Sequence, residues 1–111
     1  MSTYVSLINW TEQGIRGFRD TIRRAENFSG LVTDAGGTVR ELLWTVGEYD
    51  IVHVAEFPDD ETGVAALLEL GSAGNIRAHT MKAFNAEEMA AIIGRASNRR
   101  EYRRSGAWSA G

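Results

Sequence analysis

Two histidines are the side chains of this sequence best suited to chemistry near neutral pH. His53 lies between two valines in a strand-like segment, where a polar ring must either find a hydrogen-bond partner or face a cavity. It is the candidate catalytic base, and a hydrogen-bonded structural histidine is the alternative. His53 and His79 would need a carboxylate such as Glu41 or Glu56 to bind a metal. The histidines have no close His-x-His or His-x-x-x-His spacing, so we predict no metal site.

A short turn brings a phenol and a carboxylate next to each other. Gly47 can adopt a positive φ, Tyr49 can bury its ring, and Asp50 can accept hydrogen bonds from turn amides. That is the structural interpretation of the turn. In the functional interpretation, Tyr49 and Asp50 form the rim of a pocket and orient a small ligand.

Arginines supply the candidate groups for an anion. Arg24 lies on the flank of the first predicted helix, where it either pairs with an acidic neighbour or holds an anionic ligand. A phosphate-binding loop follows a strand and precedes a helix. The glycine-rich segments at 35–37 and 71–74 have neither feature. They are interpreted as helix ends, and we predict no cofactor.

Charge is distributed unevenly along the chain. Residues 1–94 hold 14 acidic and 7 basic side chains, whereas residues 95–111 hold five arginines and one glutamate. The arginines Arg99, Arg100, Arg103 and Arg104 would lie on one side of a continued helix, which is a pattern of nucleic-acid binding. The acidic body repels phosphate, so we expect instead a tail that is disordered or packs on an acidic patch, and no nucleic-acid partner.

Length and composition limit the class of protein. With 111 residues and 43% hydrophobic content, the chain is sized for one domain. The absence of cysteine excludes disulfides, thiolate nucleophiles and cysteine-bound metal centres. No apolar run approaches the roughly 20 residues that cross a bilayer, and the N-terminus lacks the basic start of a secretory signal. We therefore predict a cytoplasmic protein that does not bind membranes.

The elements that must position these side chains follow from hydrophobic periodicity. A helical stripe runs from Ile15 through Phe18, Ile22 and Phe28 to Val32. The predicted strands are 4–10, 38–46, 50–57 and 75–84, with helices after Thr11, after Pro58 and after Asn85. The order β-α-β-β-α-β predicts an α+β, ferredoxin-like fold with a four-stranded antiparallel sheet and two helices on one face. A short terminal helix would turn Met89, Ile92 and Ile93 inward.

Both faces of the predicted sheet carry apolar side chains. In the first strand, Tyr4, Ile8 and Trp10 alternate with Val5 and Leu7. A sheet with one solvated face would alternate apolar and polar residues more cleanly. The second face is therefore expected to meet the sheet of an identical subunit in a homodimer, with a pocket near that interface.

The hairpin register decides which side chains lie beside His53. If Gly47-Glu48 is a two-residue turn, Leu42 pairs with His53 and Trp44 falls on the same face. Arg40 then joins that face and supplies a cation for an anionic or carbonyl-bearing ligand.

A three-residue loop would instead place Leu43 opposite His53 and bring Glu41 beside it, an arrangement suited to a proton or a metal. We favour the two-residue turn because Gly47 suits its first central position.

Several motifs together resemble the GYD domain family over most of residues 3–93. They are the G-x-Y-D turn at 47–50, Tyr4-x-x-Leu7-x-x-x-Thr11-x-x-Gly14, Arg24, Gly36-Gly37, Glu56-x-Pro58-Asp59-Asp60, Gly74-Asn75-Ile76 with Thr80, and Ala83-Phe84 followed by Glu88. The resemblance implies a ferredoxin-like fold related to dimeric α/β barrels, and no established substrate. The sequence departs from the family pattern at Trp44 and in the arginine-rich tail. We therefore expect a domain over 1–94 and a tail over 95–111.

Three functions remain open from the sequence. The first is a small-molecule-binding domain that acts as a homodimer, with Arg24, Arg40, Trp44, Tyr49, Asp50 and His53 as candidate ligand-binding residues. The second is an enzyme resembling cofactor-independent monooxygenases or related dimeric α/β-barrel enzymes, with His53 handling a proton. The third is a protein-interaction module whose arginine tail binds a partner.

Overall fold

A four-stranded antiparallel sheet, in the order β2-β3-β1-β4, is the centre of the computed structural model. The model describes the backbone of residues 1–104 and the side-chain surroundings of residues 1–96. The strands are β1 (Ser2–Trp10), β2 (Thr38–Trp44), β3 (Ile51–Phe57) and β4 (Ile76–Ala83). The helices are α1 (Glu12–Arg16), α2 (Thr21–Asp34), α3 (Asp60–Ser72) and α4 (Ala86–Arg104), with a turn of 3-10 helix at Phe18–Asp20. The predicted α+β, ferredoxin-like fold is confirmed.

Local hydrogen bonds fix where the helices begin. Gly14 N donates to Thr11 Oγ1 at 3.1 Å, and Thr62 N donates to Asp59 Oδ1 at 2.8 Å. Before α4, Glu88 N donates to Asn85 Oδ1 and Asn85 N donates to a Glu88 carboxylate oxygen, at 2.8 and 2.9 Å. This reciprocal pair is the capping box that the sequence predicts.

The first helical segment is broken, and the prediction of one continuous stripe is wrong there. Phe28 and Val32 are buried as predicted, but Ile15, Phe18 and Ile22 are 48, 45 and 61% exposed. The chain leaves the helix at Gly17, whose carbonyl accepts a hydrogen bond from Arg24 Nη1 at 2.8 Å. The break separates Ile15 and Phe18 from α2, and Ile22 within α2 is also exposed, so the stripe reaches the core only at Phe28 and Val32.

The terminal helix also differs from its prediction. It runs to Arg104 and is therefore not short, and Met89, Ile92 and Ile93 are 46, 37 and 55% exposed instead of inward. The arginine side chains beyond position 96 and the end of the tail lie outside the described side chains. None of the described helices is both long enough and apolar enough to cross a membrane.

Strand pairing confirms the favoured register of the hairpin. Leu42 lies opposite His53 and Trp44 lies opposite Ile51. The connection itself spans residues 45–50, longer than a two-residue turn, and Thr45 N donates to the Asp50 carbonyl at 2.8 Å. Gly47 has a φ of +153°, a value that favours glycine.

A β-bulge between Val39 and Glu41 shifts the register farther along β2. The extra residue is Arg40, and its guanidinium pairs with the Glu56 carboxylate. Glu56 is on the face opposite His53, because it lies three residues along β3 from His53. The prediction that Arg40 shares the His53 face is therefore wrong.

The core lies between the sheet and helices α2 and α3. Its buried apolar members are Tyr4, Phe28, Val32, Ala55, Phe57 and Ala66. The buried residues of β3 are Ile51, His53, Ala55 and Phe57, which alternate with half-buried ones. This alternation fixes His53 on the helix-covered face of the sheet, which we call the inner face.

Candidate functional site

A cavity of about 410 Å³ lies between the inner face of the sheet and helices α2 and α3. Its volume is within the range of roughly 300–1,000 Å³ typical of small-molecule sites. The residues that line it include Ile8, Trp10, Arg24, Phe28, Leu31, Leu42, Ile51, His53, Glu69, Leu70, Asn75 and Ile76. This cavity therefore lies within one chain, on the helix-covered face of the sheet. The pocket near an interface between two sheets stays a prediction.

His53 forms part of the buried wall of this cavity. The residue is 2% exposed, and its ring meets the edge of Phe28 at a centroid distance of 5.2 Å. Its Nε2 atom is buried and has no hydrogen-bond partner among the described residues. A buried polar atom without a partner costs about 1–3 kcal/mol, so a ligand that reached this atom would regain that energy.

Trp10 supplies a second buried atom of the same kind. Its indole Nε1, which can only donate, has no partner within the described part of the chain. The backbone of Trp10 is fixed, because its amide donates to Asp50 Oδ2 at 2.9 Å. A residue of the cavity wall thus carries a buried donor without a partner among the described residues, and its backbone is held at the end of β1.

Burial sets the protonation state of His53. Removal from water lowers the pKa of its imidazole to about 4. At neutral pH the ring is therefore uncharged and offers one donor and one acceptor nitrogen. A base with this pKa is weak near pH 7, so the geometry favours a hydrogen-bonding role for His53 over proton abstraction.

Arg24 lies in the cavity wall, half-buried. Its guanidinium donates to the carbonyl oxygens of Gly17 at 2.8 Å and of Gly14 at 3.4 Å. It has no acidic partner within 4.0 Å among the described side chains, so the ion pair considered for it is not formed there. Of the residues proposed from the sequence, Arg24 and His53 are those that line the cavity.

The other proposed residues lie elsewhere. Trp44 is on the inner face as predicted but outside the cavity, and its Nε1 donates to Thr21 Oγ1 at 3.0 Å. The Tyr49 ring contacts His79 at a centroid distance of 6.0 Å, and Asp50 holds the Trp10 amide. Tyr49 and Asp50 therefore do not form the cavity rim.

The two histidines occupy opposite faces of the sheet. His53 pairs with Ser6, which is fully buried, whereas His79 pairs with Leu7 on the other face and is exposed. Glu41 and Glu56 also lie on that other face, so none of these groups can join His53 at a metal. No group of three metal-ligating side chains occurs in the part of the chain that the structure describes.

Sequence reasoning missed Trp10 as a site residue. Trp10 is an even number of residues from Tyr4 and Ile8 along the strand, so it lies on the same face of the sheet as they do. One signal could have identified it: Trp10 ends a strand and faces inward, and a buried indole N–H needs a hydrogen-bond partner. The cavity was not identifiable from the sequence, because its lining residues come from four strands and two helices that meet only in the folded chain.

The GYD domain family matches residues 4–93, which is most of the chain. The protein belongs to the GYD domain family. The predicted resemblance is therefore confirmed, and it covers the cavity residues Trp10, Arg24 and His53. No curated protein matches the chain.

Solved structures share the fold. The GYD domain is similar to TTHA0845 from Thermus thermophilus, with a TM-score of 0.50 and 22% identity over 78% of this chain and 96% of that one. It also matches an uncharacterized NIPSNAP domain protein from Burkholderia xenovorans, with a TM-score of 0.45 and 13% identity over 78% of this chain and 96% of that one. At these identities the likeness shows the fold alone.

Proposed function

We propose that this GYD domain binds a small, largely apolar molecule that carries a hydrogen-bond acceptor, in the cavity between the sheet and helices α2 and α3. The observation that carries the proposal is that two residues lining the same cavity, His53 and Trp10, each carry a buried nitrogen without a partner among the described residues. These nitrogens are His53 Nε2 and Trp10 Nε1. A ligand oxygen supplies the missing hydrogen bonds and restores the energy lost on burial.

The walls around these nitrogens support an apolar ligand body. Ile8, Ile51 and Phe28 are buried, and Leu42 and Ile76 are half-buried. Apolar contact contributes about 25 cal/mol per Å² of surface removed from water. The aliphatic and aromatic walls thus supply affinity, and the two nitrogens supply orientation.

Binding is preferred to catalysis because His53 is neutral over the physiological pH range. With the pKa of its imidazole lowered to about 4, the ring remains a hydrogen-bonding group when a ligand arrives. A cofactor-independent oxygenase would draw a proton from its substrate, and this imidazole is a poor acceptor for that step.

The test is calorimetric titration of the whole chain with 2-naphthamide, a neutral apolar probe with a carbonyl oxygen. His53→Phe keeps an aromatic ring but removes the hydrogen bond, so we expect its affinity to fall about fivefold to tenfold. The matched control is His79→Phe, an exposed histidine on the other face, which should stay within about twofold of the original chain. Equal affinities for the original chain and His53→Phe would contradict the role of His53.

We also propose that the domain acts as a homodimer through the face of the sheet opposite the helices, which we call the outer face. Its apolar side chains are Val5, Leu7, Leu43, Val52, Val54 and Met81, and strand register makes them neighbours. Leu43 and Met81 are 53 and 48% exposed. An apolar surface on three or more adjacent strands is typical of a protein interface.

Charge supports a second copy as the occupant of the outer face. Glu41 lies on β2 at one edge of the sheet, and Arg77 lies on β4 at the other edge. A two-fold arrangement that sets β2 above β4 of the partner places the edge that carries Glu41 over the edge that carries Arg77.

A further inference from the structure

Arg24 gives the cavity a cation that no acidic group neutralises locally. Its carbonyl partners at Gly17 and Gly14 are neutral, and no carboxylate of the described residues lies within 4.0 Å of the guanidinium. By contrast, the neighbouring Arg23 pairs with Asp20 at 3.3 Å on the exposed side of α2. A guanidinium has five N–H donors, and those not used by the two carbonyls are available to a ligand.

The two backbone bonds fix where this cation lies. Arg24 reaches back along the broken helix to the carbonyls of Gly17 and Gly14, so its side chain is held against the cavity wall. A Cβ at Gly17 would lie 3.2 Å from Arg24 Nη1, so glycine there allows the close approach. The positive charge is positioned before any ligand binds, which lowers the cost of binding an anion.

Polar groups in the cavity are mainly hydrogen-bond donors. Arg24 and the Trp10 indole can only donate, and neutral His53 can donate from one nitrogen. Asn27 and Asn75 add amide groups that can do either. A ligand rich in acceptor oxygens fits this set better than one rich in donors.

One acidic residue, Glu69 of α3, also lines the cavity. It is exposed to solvent, whereas Arg24 is half-buried. Water screens an exposed charge more effectively than a partly buried one, so the field of Arg24 is the stronger inside the cavity.

We infer that the ligand of this cavity is an apolar acid, whose carboxylate meets Arg24 while its aliphatic or aromatic body lies against the Phe28 and Ile51 wall. This inference rests on the proposed function, since it names the chemical class of molecule that the same cavity takes. The carboxylate accepts hydrogen bonds from the guanidinium N–H groups that the two backbone carbonyls leave free.

The experiment compares two acids with their neutral amides on the whole chain, by calorimetric titration. The pairs are 2-naphthoate with 2-naphthamide and octanoate with octanamide, so that both aromatic and aliphatic bodies are represented. In the original chain, we expect at least one acid to bind at least about tenfold more tightly than its amide.

Variants of two adjacent arginines show which side chain causes the preference for the acid over its amide. Arg24→Gln should remove the preference for the acid, whereas Arg24→Lys, which keeps the charge, should retain part of it. Arg23→Gln is the matched control, because Arg23 carries the same charge one residue away on an exposed side and should leave the preference unchanged.

The outcomes separate this inference from the proposed function. Equal binding of acid and amide, or a preference that survives in Arg24→Gln, would overturn the assignment of an acid while leaving the cavity as a binding site. Failure of all four probes to bind would overturn both. The acid–amide comparison in the original chain decides the ligand class even if Arg24→Gln does not fold.

Discussion

His53 is a buried imidazole whose environment has two measurable consequences, one for ligands and one for stability. Its Nε2 lacks a protein partner in the described structure, and its pKa is lowered to about 4 by burial. In the unfolded chain the same ring has a pKa near 6.5. The folded and unfolded states therefore bind different numbers of protons between these two values.

Stability should depend on pH over this interval. Above about pH 6.5 the ring is neutral in both states and contributes no pH dependence. As the pH falls towards 4, the unfolded state takes up a proton that the folded state resists, so the free energy of unfolding falls, by up to about 3 kcal/mol. Urea unfolding of the original chain and of His53→Phe at a series of pH values measures this loss.

The difference between the two chains isolates His53, because the carboxylates and His79 are common to both. We expect the original chain to lose more stability between pH 6.5 and 4 than His53→Phe does. Parallel curves would show that His53 is protonated as easily in the folded state as in the unfolded one.

At the residue scale, the hairpin register predicts that His53 pairs with Leu42 and shares a face with Trp44, but which face of the sheet this is does not follow from the sequence. Strand alternation fails for Arg40, since a β-bulge inserts one residue and reverses the alternation. Nothing in the local sequence of β2 requires that bulge. The importance of Trp10 was likewise hidden, because a free indole N–H depends on the cavity beside it.

At the element scale, the break between α1 and α2 positions the cavity wall. Gly14 of α1 is buried and packs directly on the chain before β4, where Thr11 N donates to the Asn75 carbonyl at 3.1 Å. A Cβ at Gly14 would lie 1.9 Å from that carbonyl oxygen. Close approach of two backbone segments therefore requires glycine at this position.

Two glycine substitutions should have opposite effects. Gly14→Ala forces the backbone at Asn75 to move, so we expect a loss of about 1–3 kcal/mol in the free energy of unfolding. Gly30→Ala has open space for its methyl group within α2 and should gain about 0.5–1 kcal/mol from helix propensity. The measurement is the urea midpoint of unfolding, compared at an unchanged dependence of the unfolding free energy on urea concentration. A Gly14→Ala protein as stable as the original would contradict this packing.

The types and order of the elements were predictable because periodicity, caps and turn residues agree along most of the chain. The capping box of Asn85 and Glu88 is the clearest case. The break at Gly17 was not predictable in the same way. A glycine in a helical pattern is compatible with a continuous helix, and only the tertiary contacts of Gly14 and Arg24 select the break.

At the scale of the whole molecule, the two faces of the sheet have different roles. The inner face forms the core and the cavity, and the outer face presents apolar side chains without a cover among the described residues, which we assign to a second copy. Both faces were predicted to be apolar, and the cavity of the single chain lies on the inner one, whereas the pocket between two subunits stays a prediction. The face that carries His53 is the one covered by helices.

The dimer is tested by placing a charge in the outer face. We expect light scattering of the original chain at micromolar concentration to give twice the chain mass of 12.2 kDa. Leu43→Glu should shift the mass towards 12.2 kDa, because burial of an unpaired carboxylate opposes association.

The control is Leu68→Glu, which adds the same charge to α3 at a leucine that is 69% exposed, and it should remain dimeric. A mass of 12.2 kDa for the original chain over the whole concentration range would contradict the assignment of the outer face.

The most direct measurement of the central claim is a crystal structure of the chain grown with 2-naphthamide. We predict electron density for the probe in the cavity between the sheet and helices α2 and α3, with its carbonyl oxygen within about 3.2 Å of Trp10 Nε1 or His53 Nε2. A cavity closed by movement of α2 onto α3, with both nitrogens bonded to protein groups, would contradict the proposal that this GYD domain binds a small molecule there.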